Sequence, residues 1–240
     1  MEDANTSTRE LTPWERLKDR ALRSIFHFED FLFRQSHGLD LKPIFHEELT
    51  AEDPNSLSHA TAYYPTTCRD LREIVSEARK TLIPFDNFID IGCGKGKACI
   101  YASRKIAFKK VIGIDFSQPI IDIAIQNNRK LGSENVTFIQ GDAVEFQVPD
   151  GNNLIFMNNP FDSTILEAFI RNNNDHFRRF QSIIAYVNDR QRASLLAFGF
   201  ETLYRNQRQK SLYRYNPSKV PDAAASPISA TARAATENTA

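Results

Sequence analysis

Phe88-Ile89-Asp90-Ile91-Gly92-Cys93-Gly94-Lys95-Gly96-Lys97, followed by Val111-Ile112-Gly113-Ile114-Asp115, decides how the rest of the 240-residue chain is read. An apolar run ends at an acidic residue, turns through three alternating glycines, and is followed by a second apolar run ending in another acidic residue. This is the pattern of a strand, a loop, a helix and a second strand arranged to hold a nucleoside. Loop glycines let backbone approach a ligand closely and take positive φ without penalty. A carboxylate ending the second strand can accept both hydroxyls of a ribose.

Elimination narrows the choice. The dinucleotide fingerprint G-x-G-x-x-G would need glycine at Lys97 or at Cys99. A phosphate-binding P-loop would need glycine at Ile91 and a hydroxyl residue at Ala98. What remains is D-x-G-x-G-x-G from Asp90 to Gly96, which resembles motif I of class I S-adenosylmethionine-dependent methyltransferases. In that family the acidic residue beside the glycines faces a positively charged cosubstrate. An ammonium and a sulfonium favour a carboxylate, whereas a bare anion favours backbone N–H groups and lysine.

The resemblance implies the site segment by segment. Asp90, Gly92, Cys93, Gly94 and Gly96 would cradle the amino-acid half of S-adenosylmethionine. Asp115 would bind its ribose, and Phe116 would lie against the adenine. Gly141-Asp142-Ala143 resembles the family's adenine-recognition segment, with Asp142 accepting from the exocyclic amine and the Ala143 N–H reaching a ring nitrogen. Asn158-Asn159-Pro160-Phe161 resembles the Asn/Asp-Pro-Pro-aromatic segment of enzymes that methylate amino groups, with one proline fewer. It also resembles the Asn-Asn-Phe segment of non-SET histone-lysine methyltransferases, as does Tyr64-Pro65-Thr66 upstream of motif I. Asn158 and Asn159 would orient a neutral amine, with Tyr64 over the methyl donor, Thr66 at the cosubstrate and Asp162 as proton acceptor.

The implied activity is methyl transfer to a nitrogen nucleophile, a protein lysine or another amine. The alternatives are a non-catalytic S-adenosylmethionine-binding sensor or scaffold, and a nucleic-acid base methyltransferase.

Composition bounds these readings. Thirty basic and thirty acidic residues give no net charge, so no global field draws the chain to nucleic acid or anionic lipid. Cys68, Cys93 and Cys99 form no paired framework, and no Cys/His spacing suits a metal. No apolar run approaches the roughly 18–20 residues that span a bilayer. The N-terminus lacks a secretory pattern, so a reducing, cytoplasmic setting is expected.

Around the glycine loop, strands are predicted at 86–91, 111–115, 136–140, 153–158 and 181–187. Helices are predicted at 96–106, 118–131, 163–177 and 189–198. This alternation predicts an α/β fold, a doubly wound and mostly parallel seven-stranded sheet. It ends in an antiparallel hairpin, 200–204 with 211–215, as expected of class I methyltransferases. Arg205, Arg208, Lys210, Arg214 and Lys219 are expected to be solvated on that hairpin, with Tyr204, Tyr213 and Tyr215 alternating like core residues. A further helix capped by Thr66 or Thr67 would bury Leu71, Ile74, Val75, Ala78 and Leu82.

Upstream, residues 1–62 form an extension. Thr12-Pro13-Trp14-Glu15 reads as a helix start, and apolar residues from Trp14 to Leu32 keep helical spacing to about Arg34 as a lid on the core. His37, His46, His59 and His176 are expected to be solvated. The methyltransferase domain is expected over 63–216, with a disordered Ala/Ser/Pro/Thr-rich tail over 217–240.

Overall fold

In the computed structural model, residue 12 and residues 28–45, 58–105 and 107–219 are described. Most of the predicted N-terminal helix, His46 and the tail beyond Lys219 lie outside those residues.

Seven strands form one sheet: β1 (Asn87–Ile91), β2 (Lys110–Asp115), β3 (Val136–Gln140), β4 (Asn153–Asn158), β5 (Ile183–Val187), β6 (Phe200–Arg205) and β7 (Lys210–Tyr215). Their order is β3-β2-β1-β4-β5-β7-β6. The first five run parallel, and β7 is antiparallel to both β5 and β6. β1 and β5 are buried along their whole length, which is why they read as unbroken apolar runs rather than alternating ones.

The side-chain period of two divides this core into two layers. Phe88, Leu154, Phe156, Ile183 and Ala185 pack on one face with α1 (Cys68–Lys80) and α2 (Lys97–Lys105). Ile89, Ile91, Ile155, Met157, Ile184 and Tyr186 face the other way, toward α4 (Ser163–Asn172), α5 (Asn174–Arg179) and α6 (Arg192–Ala197). α3 (Gln118–Leu131) packs between β2 and β3 and ends at Gly132 in the left-handed region.

Of the two threonines expected as caps, Thr67 caps α1, accepting from the Asp70 N–H at 3.1 Å. Several other expectations need correction. Leu82 is 88% exposed, because α1 stops at Lys80 and the chain turns away through a left-handed φ of 59° at Leu82. The helix expected over 163–177 is two helices. They meet at Asn173, whose main chain ends the first helix on the Phe169 and Ile170 carbonyls and whose side chain donates to the carbonyls of Phe146 and Phe169 and accepts from the Val148 N–H. The last helix begins at Arg192 rather than 189, since Asp189 is held by the hairpin.

His176 is buried, not solvated. It bonds Ser182 Oγ at 2.8 Å, and burial pushes its pKa down to about 4. His59 pairs with Asp162 at 2.6 Å, and His37 stands edge-on to Phe33.

Among the hairpin's basic residues, Arg208 and Lys219 are exposed as expected, but the other three are held in ion pairs. Lys210, 2% exposed, pairs with Asp70 and Glu73 of α1, each at 2.5 Å. Arg205 forms a two-pronged pair with Asp189, and Arg214 pairs with Glu201. Tyr213 is buried, while Tyr204 and Tyr215 are half-buried.

Candidate active site

In a doubly wound sheet, ligands sit beyond the carboxyl ends of the strands where the strand order reverses, here between β1 and β4. A cavity opens there, lined from β1, β2 and β4 and from residues 60–66.

The glycine loop shapes one wall. Gly92 takes a φ of 74°, and a Cβ on it would stand 2.3 Å from Cβ of Pro160. Gly94 takes a φ of 52°, and a Cβ there would stand 2.1 Å from the Tyr63 ring. Both positions therefore exclude a side chain by backbone conformation and by space. Gly96 packs under Phe138 and, like Gly94, does not line the cavity itself.

Two carboxyl groups meet at this wall. Asp115 accepts from the Gly94 N–H at 2.9 Å and the Ser117 N–H at 3.1 Å, yet burial pushes its pKa up to about 6. Asp90, 3% exposed, has only the Cys99 thiol, at 3.8 Å, as a hydrogen-bond partner among the described residues. Burial, and then the charge of Asp115, push its pKa up to about 8. Two buried carboxyls facing a cavity without a counter-cation disfavour their own ionisation, and a cationic ligand would relieve that.

The loop's own cations do not fill that role. Lys95 pairs with Asp40 at 3.0 Å and Lys97 with Asp30 at 2.6 Å. The extension thus neutralises both lysines and leaves the carboxylates to a ligand. Asp30 also accepts from the Cys68 N–H at 2.9 Å, so one residue ties the helical stretch 28–36 to α1 and to the glycine loop.

The far wall is made by Phe116, Ile120, Gly141, Asp142 and Ala143. The Gly141 N–H donates to the Asp115 carbonyl at 3.0 Å, while Asp142 accepts from the Val144 N–H at 2.8 Å, forming a tight turn.

The mouth is formed where β4 ends. Asn158, Pro160 and Phe161 line the cavity with Tyr64 and Thr66. The Asn158 amide donates to the Tyr64 carbonyl at 3.3 Å and accepts from Asn188 Nδ2 at 3.0 Å. Asn159 does not line the cavity. It takes a left-handed φ of 44°, its carbonyl accepts from the Thr61 hydroxyl at 2.6 Å, and its side chain lies 3.4 Å from the Tyr186 hydroxyl. The Pro160 carbonyl accepts from the Thr61 N–H at 3.0 Å. Asp162 also stays outside the cavity. It caps α4 at the Thr164 and Ile165 N–H groups and pairs with His59, and these bonds hold its pKa below the usual carboxylate value.

Residues 59–64 therefore form a strap across the corner that β4 turns, and Thr61 and Tyr63 are the residues that sequence reasoning missed. Tyr63 lies inside the cavity, while Tyr64, 56% exposed, stands at its rim. An extended strap sends adjacent side chains to opposite sides, and the sequence Tyr63-Tyr64 carries no signal of which faces in.

A sheet of this order, closed by an antiparallel β6–β7 pair and carrying a carboxylate-flanked glycine loop at its switch point, defines the class I S-adenosylmethionine-dependent methyltransferases. The family model described as "Methyltransferase domain" matches residues 85–204, half of the chain, and the chain belongs to that family.

The chain is similar to several solved structures. An S-adenosylmethionine-dependent methyltransferase from Geobacter sulfurreducens, in complex with S-adenosyl-L-homocysteine, is 26% identical over 51% of this chain and 48% of its own, with a TM-score of 0.39. A ribosomal protein L11 methylase from Lactobacillus delbrueckii subsp. bulgaricus is 19% identical over 62% and 80%, with a TM-score of 0.47. A putative RNA methyltransferase from Pyrococcus horikoshii is 16% identical over 70% and 92%, also at 0.47. The chain spans about half the length of the Geobacter protein.

Among the described residues there is no cluster of three metal-ligating side chains, and no helix is long and apolar enough to cross a membrane.

Proposed function

We propose that the protein transfers a methyl group from S-adenosylmethionine to a neutral nitrogen nucleophile, a protein lysine or another amine. The observation that carries this reading is the union, in one cavity, of two buried carboxyls suited to a cationic nucleoside and an Asn-bearing mouth suited to an amine.

The cosubstrate brings an electrophilic methyl group on a sulfonium; the protein's part is to bind, align and exclude water. Asp90 would hold the ammonium and Asp115 the ribose, while Phe116 and Ile120 offer apolar surface to the adenine beside Asp142 and Ala143. Asn158 has a fixed amide plane, because one of its N–H groups and one lone pair of its oxygen are already bonded. Its second lone pair can accept from the incoming N–H and steer the nitrogen lone pair toward the methyl group. Phe161, itself buried, lines the same cavity and offers it apolar surface that disfavours water. Alignment of two bound reactants can lower a barrier by roughly 7–11 kcal/mol. The positive charge passes from the sulfonium to the nitrogen, which becomes an alkylammonium and gives its proton to solvent after transfer, and fixed dipoles stabilise the charge spread over both centres on the way.

Asn159 and Asp162 have other partners, so Asn158 carries the acceptor role in this reading. The same geometry gives the sensor reading its one supporting fact: Thr61 already bonds the carbonyls of both Asn159 and Pro160. A nucleobase acceptor gains little support, since Arg205, Lys210 and Arg214 are paired within the fold.

The test is calorimetric titration with S-adenosylmethionine and S-adenosylhomocysteine, followed by a radiolabelled-methyl screen of protein and small-amine fractions. Asp115→Ala should abolish binding of both ligands. Asn158→Ala should retain binding within about threefold and lower turnover by roughly ten- to a hundredfold, the scale of a misaligned reactant. Binding without transfer to any fraction would leave the sensor reading standing.

A further inference from the structure

Asn188 stands one residue beyond the end of β5 and takes a left-handed φ of 55°. Asparagine tolerates that region better than most residues, but the conformation is still strained, and such strain recurs where a fold must aim a side chain. Here the side chain is aimed at the end of the neighbouring strand, where Asn158 is in register with Val187. Asn188 Nδ2 donates to Asn158 Oδ1 at 3.0 Å. Asn188 itself is exposed and does not line the cavity, so whatever it does there it does through Asn158.

That bond decides which way round the Asn158 amide stands. The Tyr64 main-chain carbonyl can only accept, so it takes an N–H of Asn158. Asn188 then supplies the donor that the oxygen needs. With one partner the amide could swing about the remaining bond; with two, its free lone pair keeps a single direction. The main chain of Asn188 is fixed in turn. Its carbonyl accepts from the Arg190 N–H at 2.7 Å, and the next N–H, that of Asp189, donates to the Gln209 carbonyl in the hairpin at 3.2 Å. The Asp189 carboxylate accepts from Arg205, Ser211 and Tyr213. A path of bonds thus runs from β6 and β7 through Asp189 and Asn188 to the asparagine of the cavity wall.

We propose that Asn188 is a positioning residue for methyl transfer, holding the Asn158 oxygen in the orientation that receives the acceptor N–H. The inference rests on the amine-transfer reading and deepens it. It gives the antiparallel hairpin, which contributes no residue to the cavity wall, control over how the acceptor is presented.

The test follows radiolabelled methyl transfer to the protein or small-amine fraction that the wild type labels, beside calorimetric titration with S-adenosylmethionine. Asn188→Gly accepts the left-handed backbone without strain and removes the donor. Asn188→Asp keeps the side-chain shape but offers a carboxylate, which can only accept. Both variants should bind S-adenosylmethionine within about twofold of wild type and melt within about 4 °C of it, the scale of one exposed contact in a domain of this size. Turnover should fall roughly tenfold in Asn188→Gly and at least as far in Asn188→Asp, as for a misplaced reactant. In an Asn158→Ala background, Asn188→Gly should slow transfer no further, because the group it positions is gone. Unchanged transfer in both single variants overturns the role. So does equal slowing by Asn188→Gly with and without the Asn158 amide, which would mean that it acts by another route. Weakened cosubstrate binding overturns it as well, since the fault would then lie in the fold rather than in acceptor alignment. Wild-type protein that binds S-adenosylmethionine yet labels no fraction overturns the amine-transfer reading itself, a result distinct from these.

Discussion

Asp90 sits where burial opposes charge. Its carboxyl pKa is raised to about 8, whereas the unfolded chain holds it near the ordinary carboxylate value. The folded protein therefore keeps a proton that the unfolded chain has released, and unliganded stability falls as pH rises through this range, levelling off above about 8. Asp115 contributes in the same direction only up to about pH 6. His176, with its pKa lowered to about 4, acts in the opposite direction but only below its unfolded pKa of about 6.5. The interval from 6.5 to 8 thus belongs to Asp90. Unliganded protein should melt higher at pH 6.5 than at pH 8, and Asp90→Asn should flatten that slope. A cationic nucleoside favours the ionised carboxylate, so its binding at pH 7 should release a proton. Its affinity should climb toward pH 8, by at most about tenfold per unit. Titration at pH 7 in buffers of different ionisation enthalpy reads the proton directly, and the absence of any release would mean that Asp90 does not meet the cation. The residue-level legibility of the site is uneven for a physical reason. Asp90, Gly92 and Asp115 announce themselves because strand ends and turn glycines leave a fixed local pattern. Asn159 and Tyr63 do not, because a left-handed φ at Asn159 and the phase of an extended strap decide which side chain faces in.

Elements locked by distant partners resisted the sequence most. Strands β1, β4 and β5 were legible because burial on both faces demands apolar runs, whereas β3, at the sheet edge, alternates half-buried and exposed positions. The charges of the hairpin were not, since Lys210 finds Glu73 across 137 positions of sequence and the acidic face of α1 carries no mark of its partner. Asp189 is the second such lock. It accepts from Arg205 Nε and Nη2, from Ser211 Oγ at 2.6 Å and from the Tyr213 hydroxyl at 2.5 Å, and these bonds hold its pKa below the ordinary value. It joins the end of β5 to both hairpin strands, which is why the following helix starts late. Asp189→Ala would leave two buried hydroxyls and a guanidinium without their acceptor. The expected loss is about 1–3 kcal/mol, the range for leaving buried hydroxyl groups without their partner, since Arg205 is 39% exposed and can turn to water. Urea denaturation should show the midpoint falling with an unchanged slope. A loss under about 1 kcal/mol would show that the hairpin holds by its main-chain ladder alone.

At the scale of the whole molecule, the extension and the sheet build the site together. The sequence divides the chain at 62/63 by composition, yet the structure ties the two sides of that boundary together. Ala60 bridges Phe161, Thr61 bonds Pro160, and Asp30 and Asp40 hold the two lysines of the glycine loop. Asn127 of α3 adds a third tie, donating to the Asp40 carbonyl and to that of Lys95, at 2.9 and 3.0 Å. A ligand in the cavity touches strap, loop and β4 at once, so it should stabilise all three as one unit rather than the sheet alone. Ligand at a hundredfold excess over its dissociation constant adds about 2.7 kcal/mol to global stability. Where local opening breaks the site, exchange of its amides should slow by up to about a hundredfold. The diagnostic amides are Thr61 and Tyr63, whose N–H groups bond Pro160 and Ile44. Hydrogen exchange with and without S-adenosylhomocysteine should slow these together with residues 90–97. Protection of the glycine loop without the strap would mean that the strap opens independently of the ligand and contributes no wall to the bound state.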